Sequence, residues 1–318
     1  MVVRERIPSL TGLRFVAALG VVLRHYQLVG ALNRPALAGP LLYFGREGVG
    51  LFFVLSGYVI TYNYLDWFAT GRERRGPFFQ ARLARILPMH LLGLALITPV
   101  SLLLVNPLPD ASAGLVAVSW VANAAGMHAW FPILAFNRWD VPSWSVSAEL
   151  FFYWLFPLFA GALLRRDLPT RKLVALGLAC YVAGGLVLGL IALVAPAKLD
   201  ATWYSPMTRV WEFLIGCILG TARLRSSSGP RSGRGSLILG VLIALVVVAY
   251  LPLPGLLPKL TWYLLCLPLF ALLVAQLGAG PSWFGRLLAH PHLVRLGEAS
   301  YSLYLLHWIL LTLVVFAA

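Results

Sequence analysis

Arg14 and His25 stand inside the first apolar stretch of the chain, which runs from Pro8 to Val29. A guanidinium there is a permanent cation able to hold an anion, and an imidazole is a base able to take a proton near neutral pH. The two are eleven positions apart. At about 100° per residue that is three turns plus roughly 20°, so one helical face carries both, about 16 Å apart along the axis. Ionisable groups inside a membrane span are costly and mark sites. The bland alternative is that Arg14 snorkels to the interface while His25 hydrogen-bonds a neighbouring helix.

Other residues add to the pair. Arg82 and Arg85, in RERRGPFFQARLARILP, are three apart and share a face if their helix begins before them, with Pro88 just beyond to bend it. Two guanidiniums side by side suit a phosphate. Glu149, in PSWSVSAELFFYWLFP, is a carboxylate in an apolar run. It has three possible partners: His25, an acceptor hydroxyl, or Arg24. Ser56 lies in GVGLFFVLSGYVIT, whose glycines suit close helix packing. Arg209 and Glu212, three apart, are expected to neutralise each other. His307, in SYSLYLLHW, fits core hydrogen bonding and a site role equally well. His90, His128, His290 and His292 fall at ends or in connectors and are given no role. Cys180, Cys217 and Cys266 lie in separate apolar stretches without metal or disulfide spacing, as small buried hydrophobes do. No metal site is expected.

The elements that must position these groups are membrane helices. Hydrophobic residues make up 60% of the chain and charged residues 11%, and the mean hydropathy is +0.84. Such a composition fits an all-α, polytopic transmembrane bundle rather than a soluble core. Stretches near 20 residues long place spans at about 8–29, 49–67, 86–105, 143–164, 173–194, 206–222, 236–252, 259–278 and 297–316. The segment 114–134 reads as interfacial, giving nine spans, or ten if it crosses. Residues 1–318 are expected to form a single domain without internal repeat or cleavable signal peptide, with Ser226 to Ser236 as a flexible Gly/Ser/Arg connector.

The net charge of +14 does not indicate nucleic acid, because the basic residues sit in alternate connectors. Seventeen Lys/Arg fall in one set of connectors, five in the other, and Arg14, Arg24 and Arg209 within spans. This bias puts the N-terminus in the cytoplasm of a plasma or inner-membrane protein and the C-terminus outside. The excess also attracts anionic lipid heads.

Five motifs in order carry a resemblance: Arg14 with His25, GVGLFFVLSGY, FFQARLARILP, PSWSVSAELFFYWLFP and SYSLYLLHW. Together, from Ile7 to about Trp308, they resemble the acyltransferase-3 family of integral-membrane O-acyltransferases. The resemblance implies transfer of an acyl group, often acetyl, from cytoplasmic acyl-CoA to a hydroxyl of a sugar, glycan or small molecule, as in modification of cell-surface carbohydrate. It implies that Arg14, Arg82 and Arg85 hold the CoA phosphates and that His25 is the general base, with Glu149 to orient it or stabilise its charged form. An extended pantetheine arm matches the roughly 16 Å from Arg14 to His25. Ser56, Ser145 and Tyr301 are candidates for stabilising the oxyanion. Family members commonly continue past the last helix, whereas this sequence stops at Ala318, so a short or inactive truncated member is one alternative. A transporter using the same intramembrane charges is the other, with neither broken-helix pairs nor inverted repeats in its favour.

Overall fold

The computed structural model describes residues 5–28, 39–68, 75–105, 108, 111–131, 134, 139–164, 168–226, 234–250 and 258–317. Arg4, Arg34, Arg72, Arg74, Arg138, Arg165, Arg166 and Arg231, which contributed to the charge pattern, lie outside the described residues, as does most of the Gly/Ser/Arg connector. Among those described, helix is the regular structure throughout.

Among the described residues the long apolar runs form nine long helices: α1 (Pro8–Leu28), α2 (Gly39–Tyr64), α3 (Arg75–Val100), α5 (Trp144–Leu164), α6 (Thr170–Val194), α7 (Pro206–Arg225), α8 (Arg234–Tyr250), α9 (Pro258–Gly278) and α11 (Pro291–Ala317). Shorter ones between them include α4 (Ala113–Ala124) and α10 (Trp283–Leu288). Five stretches among the described residues are long and apolar enough to cross a membrane: Gly48–Phe68, Arg75–Val105, Val141–Leu163, Thr170–Val194 and Pro291–Phe316. The protein is thus a helical membrane protein, and a count of nine or ten spans goes beyond these five. Helix α1 carries Arg14 and Arg24, and α7 carries Arg209, Glu212, Arg223 and Arg225. These are the charges that dilute the apolar character of both helices.

Several boundaries differ from expectation. Helix α3 starts at Arg75 rather than near residue 86, runs through Pro88 and Pro99, and ends in a π-helical turn, Ser101–Val105. Arg82 and Arg85 therefore ride on the helix. The charged turn looked like connector because charge hides helical periodicity. Helix α2 begins ten residues earlier than the apolar run, at Gly39. The segment 114–134 holds the twelve-residue α4, N-capped by the Ser112 hydroxyl, which accepts from the Leu115 amide. At about 1.5 Å per residue that is too short to span a bilayer.

Alternate helices run in opposite directions, as contacts at both ends show. At one end Arg225 on α7 donates to the carbonyls of Leu163 and Leu168, at the end of α5 and the start of α6, and Arg223 donates to Gly278 closing α9. That end gathers Arg6, Arg82, Arg85, Arg223, Arg225 and Arg286, and is called the basic end. Toward the opposite end His25, in the last turn of α1, meets His307 in the second half of α11.

The crossing of α2 and α7 fixes the centre. Gly57 lies against the carbonyl of Phe213 and Gly216 against the carbonyl of Val54, so that neither helix has room for a Cβ. Where hydrocarbon surrounds a protein, such small-residue contact replaces the hydrophobic effect as the source of helix association. Aromatics pack beside it, with Phe152 on α5 stacked on Phe213 at 4.8 Å and edge-on to Phe53 at 5.1 Å. Outward faces are apolar: Leu103, Leu158, Leu186 and Leu193 are exposed, as in a bundle that faces lipid. Helix α4 turns Ser119 and Asn123 inward and Val118 and Val121 outward.

Candidate active site

Helices α1, α2, α3 and α11 part at the basic end around a cavity of about 960 Å3. Arg6, Arg14, Arg82 and Arg85 line it, with Glu5 and Glu298 as its carboxylates and Tyr62, Tyr64 and Trp67 as its aromatic wall. Arg6 on one rim is bonded to Glu298 on the other at 2.6 Å. Arg82 is set by the start of α3. Its Nη2 donates to the Tyr64 hydroxyl at 2.8 Å, and its guanidinium lies 4.8 Å over the Tyr64 ring and 5.9 Å from that of Tyr153. Its Nε is buried without a hydrogen-bond partner. A donor left over beside an excess of positive charge fits an anionic group such as a phosphate.

A narrower cavity of about 80 Å3 continues inward. Arg14, Arg82 and Arg85 line this one too, and are joined by Glu149, Ser56, Tyr153, Ser145, Tyr301 and Tyr304 among apolar side chains. Glu149 Oε1 accepts from the Tyr153 hydroxyl at 2.7 Å and from the Ser56 hydroxyl at 3.1 Å. One turn of α5 thus supplies both the acid and its tyrosine, and α2 supplies the serine. The other hydroxyls are also committed. Tyr301 donates to the Ile86 carbonyl at 3.1 Å, and Ser145 sits 3.0 Å from both the Pro142 carbonyl and the Tyr304 hydroxyl.

Beyond this cavity lies His25. Tyr304 and His307 are one turn apart on α11, with ring centroids 6.2 Å apart. His25 Nδ1 is 2.8 Å from His307 Nε2, and the two rings are nearly parallel at 5.1 Å. Trp308 closes the other side of His25, edge-on at 5.4 Å. His307 Nδ1 is 2.7 Å from the carbonyl of Tyr304. A carbonyl only accepts, so His307 must carry its proton on Nδ1, and its Nε2 is then a lone pair when the ring is neutral. His25 must donate to that lone pair from Nδ1. The remaining nitrogen, His25 Nε2, is left as the basic atom, without a hydrogen-bond partner among the described residues.

The comparisons with known proteins bear on what such an arrangement does. The family model described as an acyltransferase domain, Acyl_transf_3, matches residues 7–316. The chain belongs to the acyltransferase-3 family. It is 30% identical to Acyltransferase MdmB of Streptomyces mycarofaciens, over 96% of this chain and 79% of that one. It is 28% identical to a putative O-acetyltransferase of Staphylococcus aureus strain COL, over 97% of this chain and 51% of the relative. It is 26% identical to O-acetyltransferase OatA of Staphylococcus aureus, over 95% and 50%. The chain therefore spans about half the length of the two O-acetyltransferases. No solved structure matches.

This acyltransferase-3 chain transfers groups other than amino-acyl groups, and its sequence-predicted site residues divide into two sets. Arg14, Arg82, Arg85 and Glu149 meet at one cavity. His25 is not among the residues lining that cavity or the mouth. It stands behind Tyr304 with His307. Of the partners considered for Glu149, the structure shows Ser56 and Tyr153 instead of His25, while Arg24 bonds Gln27 at 2.8 Å. The partner of His25 is His307, whose signal in the sequence was a lone polar residue in an apolar helix. Tyr64 and Tyr153 gave no signal, because aromatics are common in such helices. Arg209 and Glu212 do pair, at 3.0 Å. They are 2% and 3% exposed, and the Arg209 guanidinium lies 4.4 Å from the centre of the Trp203 ring. The three cysteines are buried and form no disulfide among the described residues. Among the described residues no group of three or more His, Cys, Asp or Glu is placed to hold a metal ion.

Proposed function

We propose that this protein is a membrane O-acyltransferase that takes an acyl group, acetyl in the simplest case, from cytoplasmic acyl-CoA and places it on a hydroxyl of a glycan, sugar or small molecule. The observation that carries this reading is the convergence of three arginines on the mouth cavity and on the smaller one inside it, with the His25–His307 pair on the other side of Tyr304. The basic end is cytoplasmic, by the bias of Lys and Arg, and the nine long helices are nine spans.

Arg82 and Arg85 hold phosphate oxygens at the mouth, Arg82 locked by Tyr64 so that its planar fork is pre-oriented. Arg14 faces the junction of mouth and inner cavity. The inner cavity, mostly apolar, takes the pantetheine arm. His25 Nε2 accepts the proton of the acceptor hydroxyl as its oxygen bonds to the thioester carbonyl carbon. When the C–S bond breaks, His25 returns the proton to the departing sulfur. His307 fixes the tautomer of His25, and its Nε2 lone pair faces the imidazolium formed in between, the role an acid plays in a catalytic triad. Glu149, bonded to Ser56 and Tyr153, balances the charge of the arginines and positions the cavity wall. The acceptor approaches His25 from the opposite end of the bundle. Mass spectrometry of surface glycans and secreted small molecules, from cells with and without the gene, tests the reading. Loss of an acyl-bearing species with the gene supports it, and identical acylation overturns it.

A further inference from the structure

The mouth cavity adjoins a second one of about 360 Å3, with Glu5, Arg6, Ile7 and Tyr62 lining both. On the far side of the shared wall the second cavity is lined by Arg223 and Arg286. Three guanidiniums thus line it against one carboxylate, Glu5, and of the three Arg6 is paired with Glu298 across the mouth. Arg223 is held in place, since its Nε donates to the Gly278 carbonyl at 3.0 Å. That bond caps the end of α9 and fixes the guanidinium plane, while its two Nη groups make no hydrogen bond among the described residues. Arg286 reaches the cavity from α10. Neither arginine has a part in the transfer chemistry. Marking the cytoplasmic side would require neither of them to converge on a cavity beside the donor mouth, since a charge anywhere in a connector serves that end.

We propose that this side cavity binds a phosphomonoester dianion, the 3′-phosphate of the CoA donor, with Arg223 and Arg286 as its ligands. The inference rests on the reading of acyl-CoA as donor. CoA carries its charge in two separate places, a pyrophosphate and a ribose 3′-phosphate, so a protein that grips both needs two anion subsites. Arg82 and Arg85 form the first. The side cavity, joined to the mouth through Arg6, forms the second. A monoester phosphate presents three oxygens and is matched by more than one guanidinium. An anionic lipid headgroup has the same phosphate chemistry and is the competing source. The shared wall with the donor mouth favours the nucleotide.

The test compares CoA with 3′-dephospho-CoA by calorimetry, on the full-length protein in nanodiscs of neutral lipid and again with phosphatidylglycerol added. The wild type is expected to bind CoA about tenfold or more tightly than 3′-dephospho-CoA. Arg286→Ala, an exposed position that leaves the fold intact, and Arg223→Ala should each shrink that ratio, and the double variant should bring it near one. They should do so by weakening CoA alone, with 3′-dephospho-CoA bound as before. A wild-type ratio near one, or a ratio unchanged in the double variant, overturns the subsite while the donor reading stands. A ratio that collapses only when phosphatidylglycerol is present means that lipid outcompetes the nucleotide there, and overturns it too. If the wild type binds neither nucleotide, the donor reading itself falls.

Discussion

Removing the His25 imidazole removes the proton acceptor but little packing, so His25→Ala is expected to lower transfer about 10²–10⁴-fold in a protein that still inserts and folds. His307 acts through His25. His307→Ala is expected to lower kcat with the affinity for acyl-CoA unchanged. His307→Gln, whose amide oxygen can accept from His25 Nδ1, should restore part of it. Equal kcat in both His307 variants and wild type would remove His307 from the mechanism. Arg82→Ala and Arg85→Ala should each weaken CoA binding by roughly 1.5–3 kcal/mol without affecting acceptor binding. Calorimetry showing unchanged CoA affinity would reduce them to topology signals. At this scale the sequence revealed charge but not partnership. Arg14, His25 and Glu149 are conspicuous because charge is rare in apolar runs. What each one touches depends on how α1, α2, α5 and α11 pack, and spacing within one helix carries no record of that. His25 and His307 are 282 positions apart.

Helices α2 and α7 meet through Gly57 and Gly216, and a methyl at either would press on a carbonyl of the other helix. Gly57→Ala is therefore expected to destabilise the bundle by about 1–3 kcal/mol, the usual cost of overpacking, and to shift its thermal midpoint downward by light scattering or fluorescence in detergent. An unchanged midpoint would mean that the crossing is looser than described. Helix α7 also carries the buried Arg209–Glu212 pair. Glu212→Gln leaves Arg209 charged beside Trp203, at a cost of about 3–5 kcal/mol. Helix existence was legible because hydropathy and length decide it. Helix starts were not, since the first turns of α3 carry charge and the early turns of α2 are less apolar than its centre.

For the whole molecule, one buried acid links pH to stability. Asp140, in the connector before α5, is buried with neither carboxylate oxygen hydrogen-bonded, and burial pushes it up to about 8. Folded protein therefore holds this proton while the unfolded chain releases it near 4. Stability should fall as pH rises from about 4 to about 8, and Asp140→Asn should remove that fall. Nearby His128 works in the opposite sense. Burial, then the neighbouring His90, lowers it to about 3, so its contribution is lost as pH falls below about 6.5. Thermal midpoints of the Asp140→Asn variant that track wild type across this range would contradict the assignment. Orientation is tested by cysteine labelling at Ser226 and Ala195, expected to react from opposite sides of the membrane with Ser226 cytoplasmic.

The membrane class was readable from composition, because a chain with 60% hydrophobic and 11% charged residues has too little polar surface for a soluble core. The two cavities and the side cavity were not, because each is formed by turns far apart in the sequence. The most direct measurement follows release of CoA thiol from acetyl-CoA by native membranes, which supply the acceptor, carrying wild-type protein or His25→Ala at matched levels. Wild-type membranes are expected to release thiol at least about 100-fold faster than the variant, with the acetyl group recovered on a hydroxyl-bearing product. Equal thiol release and equal product acetylation in the two preparations would contradict a His25-based O-acyl transfer.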